Sequence, residues 1–314
     1  MNDYDLIIIG SGPAGLTAAL YASRAGLKTV VFEENKLGGA IVDAELVENF
    51  PCFPKGLSGI ELSTNLVSQV MDQGVDIKLG TVTGIDLIQD DLKRVNTTEG
   101  DFLGKALIIA GGARPKKLGI PGEDKYEGSG VSYCAYCDGN RFENKEIALI
   151  GGGDGGVSEG LYMTRIATKV TLIEIMPKLT ACKVLQQRAL ANSKMEILRS
   201  TMVEEITYDG DLINLRLKSV ETGKNWNIKV SGIFILAGLD PRNEYFKAVV
   251  VLDDSGFIVV NHNMETNIPG IFAAGDIRSG SARQAITAAG DGATAAIAAE
   301  KFIAMERKSH TDLE

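Results

Sequence analysis

Cys134-Ala135-Tyr136-Cys137 sets two thiols three positions apart, within reach of closing a disulfide. One thiol of such a pair can have its pKa lowered far enough to supply a reactive thiolate near neutral pH, which makes the pair a dithiol switch. The same spacing would serve as half of a zinc site, or as two cysteines packed in a core. Zinc needs two more ligands, yet Cys52 and Cys182 are solitary and the only histidines are His262 and His310, so no metal site is expected. Asp138, next to the second thiol, can move protons as thiol and thiolate exchange; its alternative is a helix or turn cap. Cys52 and Cys182 read as packed or passive thiols.

A second kind of chemistry lies in two glycine loops. Gly10-Ser11-Gly12-Pro13-Ala14-Gly15 follows the apolar run Leu6–Ile9 and opens an Ala-rich helix to about Ala25; Gly151-Gly152-Gly153-Asp154-Gly155-Gly156 follows Ile147–Ile150 and opens another helix. Each continues into a second apolar strand, Thr29–Phe32 or Val170–Ile173, that ends in an acid. Glu33 lies 18 residues after Gly15, and Glu174 lies 18 after Gly156. One such loop alone is often only a tight turn. Loop, flanking elements and distant carboxylate recurring together specify dinucleotide binding. The first glycine makes the turn, the second admits a pyrophosphate and the third lets helix and strand pack. The helix N-terminus then offers N–H groups and partial positive charge to phosphate, and the acid accepts ribose hydroxyls. Two units imply two dinucleotides.

The elements that must hold these groups suggest one domain inserted in another. Gly111-Gly112-Ala113-Arg114-Pro115 follows the strand Ala106–Ala110, and Ala237-Gly238-Leu239-Asp240-Pro241 follows Ile233–Leu236. Taken as linkers, they leave residues 1–115 and 242–314 as one discontinuous domain around 116–241. The C-terminal piece carries Ile271-Phe272-Ala273-Ala274-Gly275-Asp276 and a long Ala-rich helix from about Gln284 to Met305. The expected class is α/β, with two doubly wound Rossmann-like nucleotide-binding domains, the second inserted into the first. The 314 residues, 45% of them hydrophobic, suffice for two compact domains. A net charge of -9 gives no general attraction for nucleic acid or an anionic membrane. No apolar run approaches the ~20 residues that span a bilayer, and no secretory signal opens the chain. Four scattered cysteines are too few for a secreted disulfide framework, so a cytoplasmic location is expected.

These segments, with VENFP at 47–51, CAYCDG at 134–139, AAGD at 273–276 and RQA at 283–285, resemble the low-molecular-weight thioredoxin reductase family over nearly the whole chain. The resemblance implies a homodimer with FAD in the discontinuous domain and a nicotinamide cofactor in the inserted one. Family members rotate one domain against the other, exposing the flavin in turn to reduced nicotinamide and to the CxxC pair. Carried over by position, Gly10, Ser11, Gly12, Pro13, Ala14, Gly15, Glu33, Gly39, Ala40, Asn49, Val82, Gly112, Gly275, Asp276, Arg283, Gln284 and Ala285 would hold FAD. Gly151, Gly153, Asp154, Gly155, Gly156 and Glu174 would hold the nicotinamide dinucleotide. Cys137 matches the thiol facing the flavin, Cys134 the thiol attacking the disulfide of thioredoxin or a thioredoxin-like partner, and Asp138 the acid/base.

The departures carry information too. Where NADPH-using members have HRR and a further arginine, this chain reads Glu174-Ile175-Met176-Pro177-Lys178-Leu179-Thr180. An acid there suits the free ribose of NADH and repels a 2′-phosphate: at ~4 Å and an effective dielectric near 20, each pair of unit charges costs roughly 4 kcal/mol before screening. NADH is therefore expected over NADPH, with Lys178 as a partial offset. Gly155 and Gly156 replace a hydroxyl residue and alanine, and Gly160 replaces alanine. Asn140-Arg141 before Phe142 replaces aromatics that help dock thioredoxin; Arg141 either pairs with an acidic partner or is solvated. Cys52 stands where glycine is usual, and Gly111 where threonine is. Two rivals remain: a flavin disulfide reductase or dithiol oxidase working without pyridine nucleotide, with ferredoxin as an electron donor, and a non-catalytic flavin redox sensor. Glu174 speaks against the first and the intact CAYCD against the second.

Overall fold

The computed structural model describes residues 2–44, 46–88 and 92–311; the side chains of residues 2, 3, 137 and 306–311 lie outside the description. Strand β1 (Asn2–Ile9) buries Leu6, Ile7 and Ile8 completely, as a strand covered on both faces requires. The chain turns at Gly10 into α1 (Pro13–Arg24), where proline at the first turn forfeits no intrahelical bond. It returns as β2 (Thr29–Glu33), parallel to β1. Helix α2 (Gly59–Met71) is capped by the Ser58 hydroxyl, which accepts the Glu61 N–H at 3.1 Å, and leads to β3 (Asp76–Leu79) beyond β2. An antiparallel meander follows, β4 (Val82–Leu87), β5 (Lys93–Thr97) and β6 (Gly100–Ile109). One side of β6 runs parallel to β1; on the other, residues 100–104 pair with β5, which leaves residues 107–109 open to a later strand.

After β7 (Ala113–Pro115) a second unit repeats the plan. It opens with β8 (Val131–Ser132) and the single turn α3 (Ala135–Asp138). Then come β9 (Glu146–Ile150), α4 (Asp154–Met163), β10 (Lys169–Ile173), α5 (Lys183–Ala191) and β11 (Met195–Leu198). The antiparallel β12 (Thr201–Asp209), β13 (Leu212–Ser219) and β14 (Asn225–Val230) precede β15 (Gly232–Ile235). The parallel sheet has the order β11-β10-β9-β15-β8. Ile213, Leu215 and Leu217 alternate along β13 and pack against Ile150, Ile233 and Ile235 of that sheet.

The chain leaves through β16 (Leu239–Pro241), and β17 (Ile271–Ala273) takes the vacant edge of β6. The last helix, α6 (Ala285–Thr311), runs beyond the expected end near Met305 because residues 306–311 contain neither glycine nor proline to stop it. Small residues let α6 approach α1: a Cβ on Gly292 would lie 2.0 Å from the Ala14 carbonyl oxygen. Residues Met1–Arg114 with Asp240–Glu314 form one compact unit and Pro115–Leu239 the other. The fold is thus α/β, two doubly wound units with the second inserted into the first. Among the described residues no helix is long and apolar enough to cross a membrane.

Candidate functional site

In the inserted unit, Cys134 follows the short strand β8 and leads the single turn α3. Cys134 is disulfide-bonded, whereas Cys52 and Cys182 are free and exposed, so of the packed and passive readings only the passive one remains for the latter two. The Cys137 side chain lies outside the described ones. Ser132 links the segment: its hydroxyl donates to Asp138 Oδ2 at 2.6 Å and accepts the Cys134 N–H at 3.2 Å. Asp138 Oδ1 also lies 3.7 Å from the Arg141 guanidinium, and Arg141 donates to the Gly128 carbonyl at 3.0 Å. Asp138 makes no cap bond to the turn that follows it. Arg141 is neither a free docking cation nor merely solvated, and Phe142, buried edge-on against Phe234, is core.

Two carboxyl groups that sequence patterns did not single out hold this segment. Glu123 is buried and accepts the N–H groups of Leu118 and Gly119 at 2.9 and 2.6 Å and the Tyr133 hydroxyl at 2.7 Å, which fixes the residue before Cys134. Burial and the Glu123 carboxylate raise the Tyr133 pKa. Glu159, half-buried on α4, accepts the Ala135 N–H at 2.6 Å. Burial pushes its carboxyl up to about 7, a shift that the Ala135 bond only partly offsets. Both contacts link residues distant in sequence, which no local period reveals.

The two glycine loops are built alike. Gly10 has φ +102° and its Cβ would lie 2.3 Å from the Ala110 oxygen; Gly151 has φ +123° and its Cβ would lie 2.2 Å from that of Leu236. Only glycine fits either turn. The third glycines, Gly15 and Gly156, would put a Cβ 1.8 and 2.0 Å from the oxygens of Gly10 and Gly151, which is the close approach of helix to loop. The middle glycines behave differently: around a Cβ on Gly12 or Gly153 the nearest atoms are 4.0 and 3.7 Å away. Each middle glycine starts its helix without a side-chain cap, so the space and the first-turn N–H groups suit a pyrophosphate. Gly155 is open as well, while Asp154 accepts the Cys182 N–H at 2.6 Å.

The acids also correspond. Glu33 Oε2 accepts both the N–H and the hydroxyl of buried Ser11 at 2.8 Å, and Oε1 accepts the Asn35 N–H at 2.9 Å. Glu174, 7% exposed, takes the Gly152 N–H on Oε2 at 2.5 Å and the Met176 N–H on Oε1 at 2.8 Å. Glycine at 152 supplies no hydroxyl, so each Glu174 oxygen keeps an acceptor position, the right number for two ribose hydroxyls. Among the described residues no cation pairs with Glu174, and Lys178 is exposed.

The remaining candidates for the flavin lie in the outer unit. Gly39, at φ +67°, comes so close to the loop that its Cβ would sit 2.8 Å from Gly12 Cα; Ala40 follows, exposed. Pro13 and Ala14 open α1, and a Cβ on Gly275 would lie 2.9 Å from that of Ala14. Asn49 donates to the Gln284 side-chain oxygen at 2.8 Å, which joins two segments far apart in sequence. Asp276 accepts the Ser281 hydroxyl at 3.1 Å, and burial raises its pKa. Arg283, at φ +56°, lies over the Phe257 ring at 5.2 Å; Ala285 begins α6. Val82 is buried at the start of β4, and Gly112 has φ +65° with open space around it. A buried pair that the sequence patterns missed, Arg278 with Asp291 at 2.6 and 3.0 Å, ties the AAGD turn to α6, and Asp291 also takes the Gly275 N–H. Gly39 and Gly275 therefore stand against an open loop that has first-turn N–H donors and an acid at its side, which fits FAD.

Two of the departures have structural accounts. Cys52 has φ +76°, a left-handed conformation that costs a non-glycine residue roughly 1–2 kcal/mol, so glycine is the unstrained choice there. A Cβ on Gly111 would lie 2.6 Å from the hydroxyl of Tyr245, which occupies the space a larger residue would take.

Residues 4–292 match the family described as pyridine nucleotide-disulphide oxidoreductase. A thioredoxin reductase of Peptoclostridium litorale is 41% identical over 308 residues, 96% of this chain and 98% of that protein. Thioredoxin reductase from Lactococcus lactis superposes with a TM-score of 0.93 at 43% identity, covering 96% of this chain and 99% of that one. The T. acidophilum enzyme gives 0.90 at 34% identity, with the same coverage. By the family match over residues 4–292 and these relatives, the chain belongs to the pyridine nucleotide-disulphide oxidoreductases, within their low-molecular-weight thioredoxin reductase family.

Proposed function

We propose that this protein is an FAD-dependent thioredoxin reductase, a cytoplasmic homodimer, that draws electrons from NADH in preference to NADPH. The observation that carries the reading is the Cys134 disulfide, held by Ser132 and Glu159 in a chain that also has two open dinucleotide loops. Gly12, the first turn of α1, Glu33, Asn49, Gln284, Asp276 and the other flavin candidates of the outer unit hold FAD. When bound, FAD supplies a two-electron carrier between the nicotinamide and the disulfide. Gly153 and the first turn of α4 hold the NADH pyrophosphate, and Glu174 takes its ribose hydroxyls. Asp138, aligned by Ser132 and Arg141, exchanges protons with the opened pair, and Cys134 attacks the disulfide of thioredoxin or a thioredoxin-like protein.

Glu174 supports NADH because it is buried, has no cation paired with it among the described residues and retains two acceptor positions; a 2′-phosphate would meet a carboxylate there. An exposed apolar groove of about 510 Å³ along Leu37, Val42, Ile60, Val67 and Met71 supports a self-association surface on the outer unit, which light scattering on the purified protein tests.

The cofactor test is anaerobic. Mixed separately with NADH and NADPH, the yellow protein should lose its flavin absorbance quickly with NADH alone and then reduce thioredoxin. Bleaching by NADPH alone overturns the NADH assignment. If neither nucleotide bleaches it, ferredoxin becomes the donor to test; if thioredoxin-like proteins all stay oxidised, the reductase reading fails.

A further inference from the structure

Asp138 is not the only carboxyl group at the redox segment, and the two sit in opposite environments. Asp138 is about one-third exposed, accepts the Ser132 hydroxyl and lies beside the Arg141 guanidinium. Glu159 is half-buried and accepts the Ala135 N–H at 2.6 Å, and among the described residues no cation pairs with it. Burial alone drives its carboxyl upward, to about 7. Among the described residues, none of the charged and titratable groups on the elements packed against α4 is a cause of that shift. They are Asp138 and Tyr136 on α3, Lys183 and Arg188 on α5, Glu146 on β9 and Lys169 on β10, together with Asp154 and Tyr162 on α4 itself. Lys169 is engaged with Glu196 at 2.6 Å, and Asp154 with the Cys182 N–H.

We infer that Glu159 is a positioning residue that takes up a proton when the Cys134 disulfide is opened, so that the charge of the new thiolate is balanced within the inserted unit. The step balances as follows. Two electrons and one proton, supplied by a dithiol reductant that is itself oxidised to a disulfide, break the S–S bond and leave one thiol and one thiolate. A second proton passes from solvent to the Glu159 carboxylate. A thiolate forming next to Ala135 raises the affinity of Glu159 for that proton, because two negative charges sharing a half-buried site repel. The inference rests on the reading of Cys134 as redox-active.

The test uses Glu159→Gln in the FAD-loaded protein. Glutamine keeps an oxygen for the Ala135 N–H, so the structural contact survives and only the ionisation is lost. Wild type and variant are equilibrated with reduced and oxidised dithiothreitol between about pH 6 and 8, the range in which one thiol of a reduced Cys-X-X-Cys pair, with its pKa lowered, is ionised. The fraction of reduced Cys134 is read by alkylation. The ratio of wild-type to variant equilibrium constants should be level below about pH 7 and fall about tenfold per pH unit above it, the slope of one extra proton bound on reduction. A ratio constant across the range overturns the inference alone. A wild-type disulfide that dithiothreitol does not reduce overturns both the inference and the redox reading beneath it. If the variant does not fold, the redox-difference infrared spectrum of the wild type at about pH 8 decides: a protonated-carboxyl band should appear on reduction, and its absence overturns the inference.

Discussion

The backbone N–H of Gly152 points at the Glu174 carboxylate across 2.5 Å, at the same separation of 22 residues as the Ser11–Glu33 contact in the other unit. Glu174 thus closes the glycine loop, and the proposed nucleotide reading gives it a second job at the ribose. Glu174→Gln loses a charge-assisted bond on the loop and turns an acceptor into a donor on the ribose side. Bonds to charged groups are worth about 1.5–3 kcal/mol, so KM for NADH should rise at least about tenfold while FAD stays bound. Steady-state kinetics at saturating thioredoxin measure this. An unchanged KM would remove Glu174 from the ribose.

Gly12→Ala and Gly15→Ala should fail in different ways. A methyl on Gly12 meets nothing closer than 4.0 Å, at an ordinary negative φ of -72°, so the variant should fold but emerge colourless because the pyrophosphate has lost its room. A methyl on Gly15 would lie 1.8 Å from the Gly10 oxygen, and that variant should lose about 3 kcal/mol or more, or not fold. Visible absorbance and urea melts distinguish them. A yellow Gly12→Ala protein of normal affinity for FAD would refute the assignment of that space.

Gly111→Ala should cost about 1–2 kcal/mol in wild type, because the new Cβ falls 2.6 Å from the Tyr245 hydroxyl. In a Tyr245→Phe background the nearest ring atom is Cζ at 3.8 Å, ordinary contact, and the cost should disappear. Chemical denaturation of the four proteins of this cycle gives the coupling directly. Additive effects would mean that the two residues do not share that space.

Glu159 gives the stability a pH dependence of stated sign. Its folded pKa, about 7, lies above the ordinary 4.5, so the folded chain binds the proton more tightly than the unfolded one. Its contribution is therefore full below about pH 4.5 and is lost as the pH rises to about 7, by at most roughly 3 kcal/mol. Glu159→Gln, which does not ionise, should match wild type in melting temperature near pH 5 and exceed it near pH 8. Parallel melting curves at both pH values would contradict the shift.

The glycine loops were legible in the sequence because their constraints are local and steric: a positive φ at Gly10 and Gly151, and no room for a side chain at Gly15 and Gly156. The parallel strands were legible because both faces are covered, which forces unbroken apolar runs such as Leu6–Ile9. Glu159, Glu123 and the Arg278–Asp291 pair were not, since each meets a partner on another turn or element at a spacing that no helix or strand period marks. The contacts of Arg141 were hidden for a related reason: its carboxylate is three residues away, but the Gly128 carbonyl that holds it comes from a separate turn.

Strand β6 waits for its last neighbour. Residues 107–109 find β17 only after residue 273 has left the ribosome, whereas every strand of the inserted unit is out by residue 235. During synthesis the order of completion is therefore inverted: the inserted unit can close first, and the surrounding one stays open-edged with Leu107, Ile108 and Ile109 unmatched. A ribosome-bound chain arrested between about residues 275 and 285, its C-terminal end still in the exit tunnel, should accordingly protect the β9–β10 amides from hydrogen exchange before those of β6, and would remain prone to pairing its bare edge with another chain.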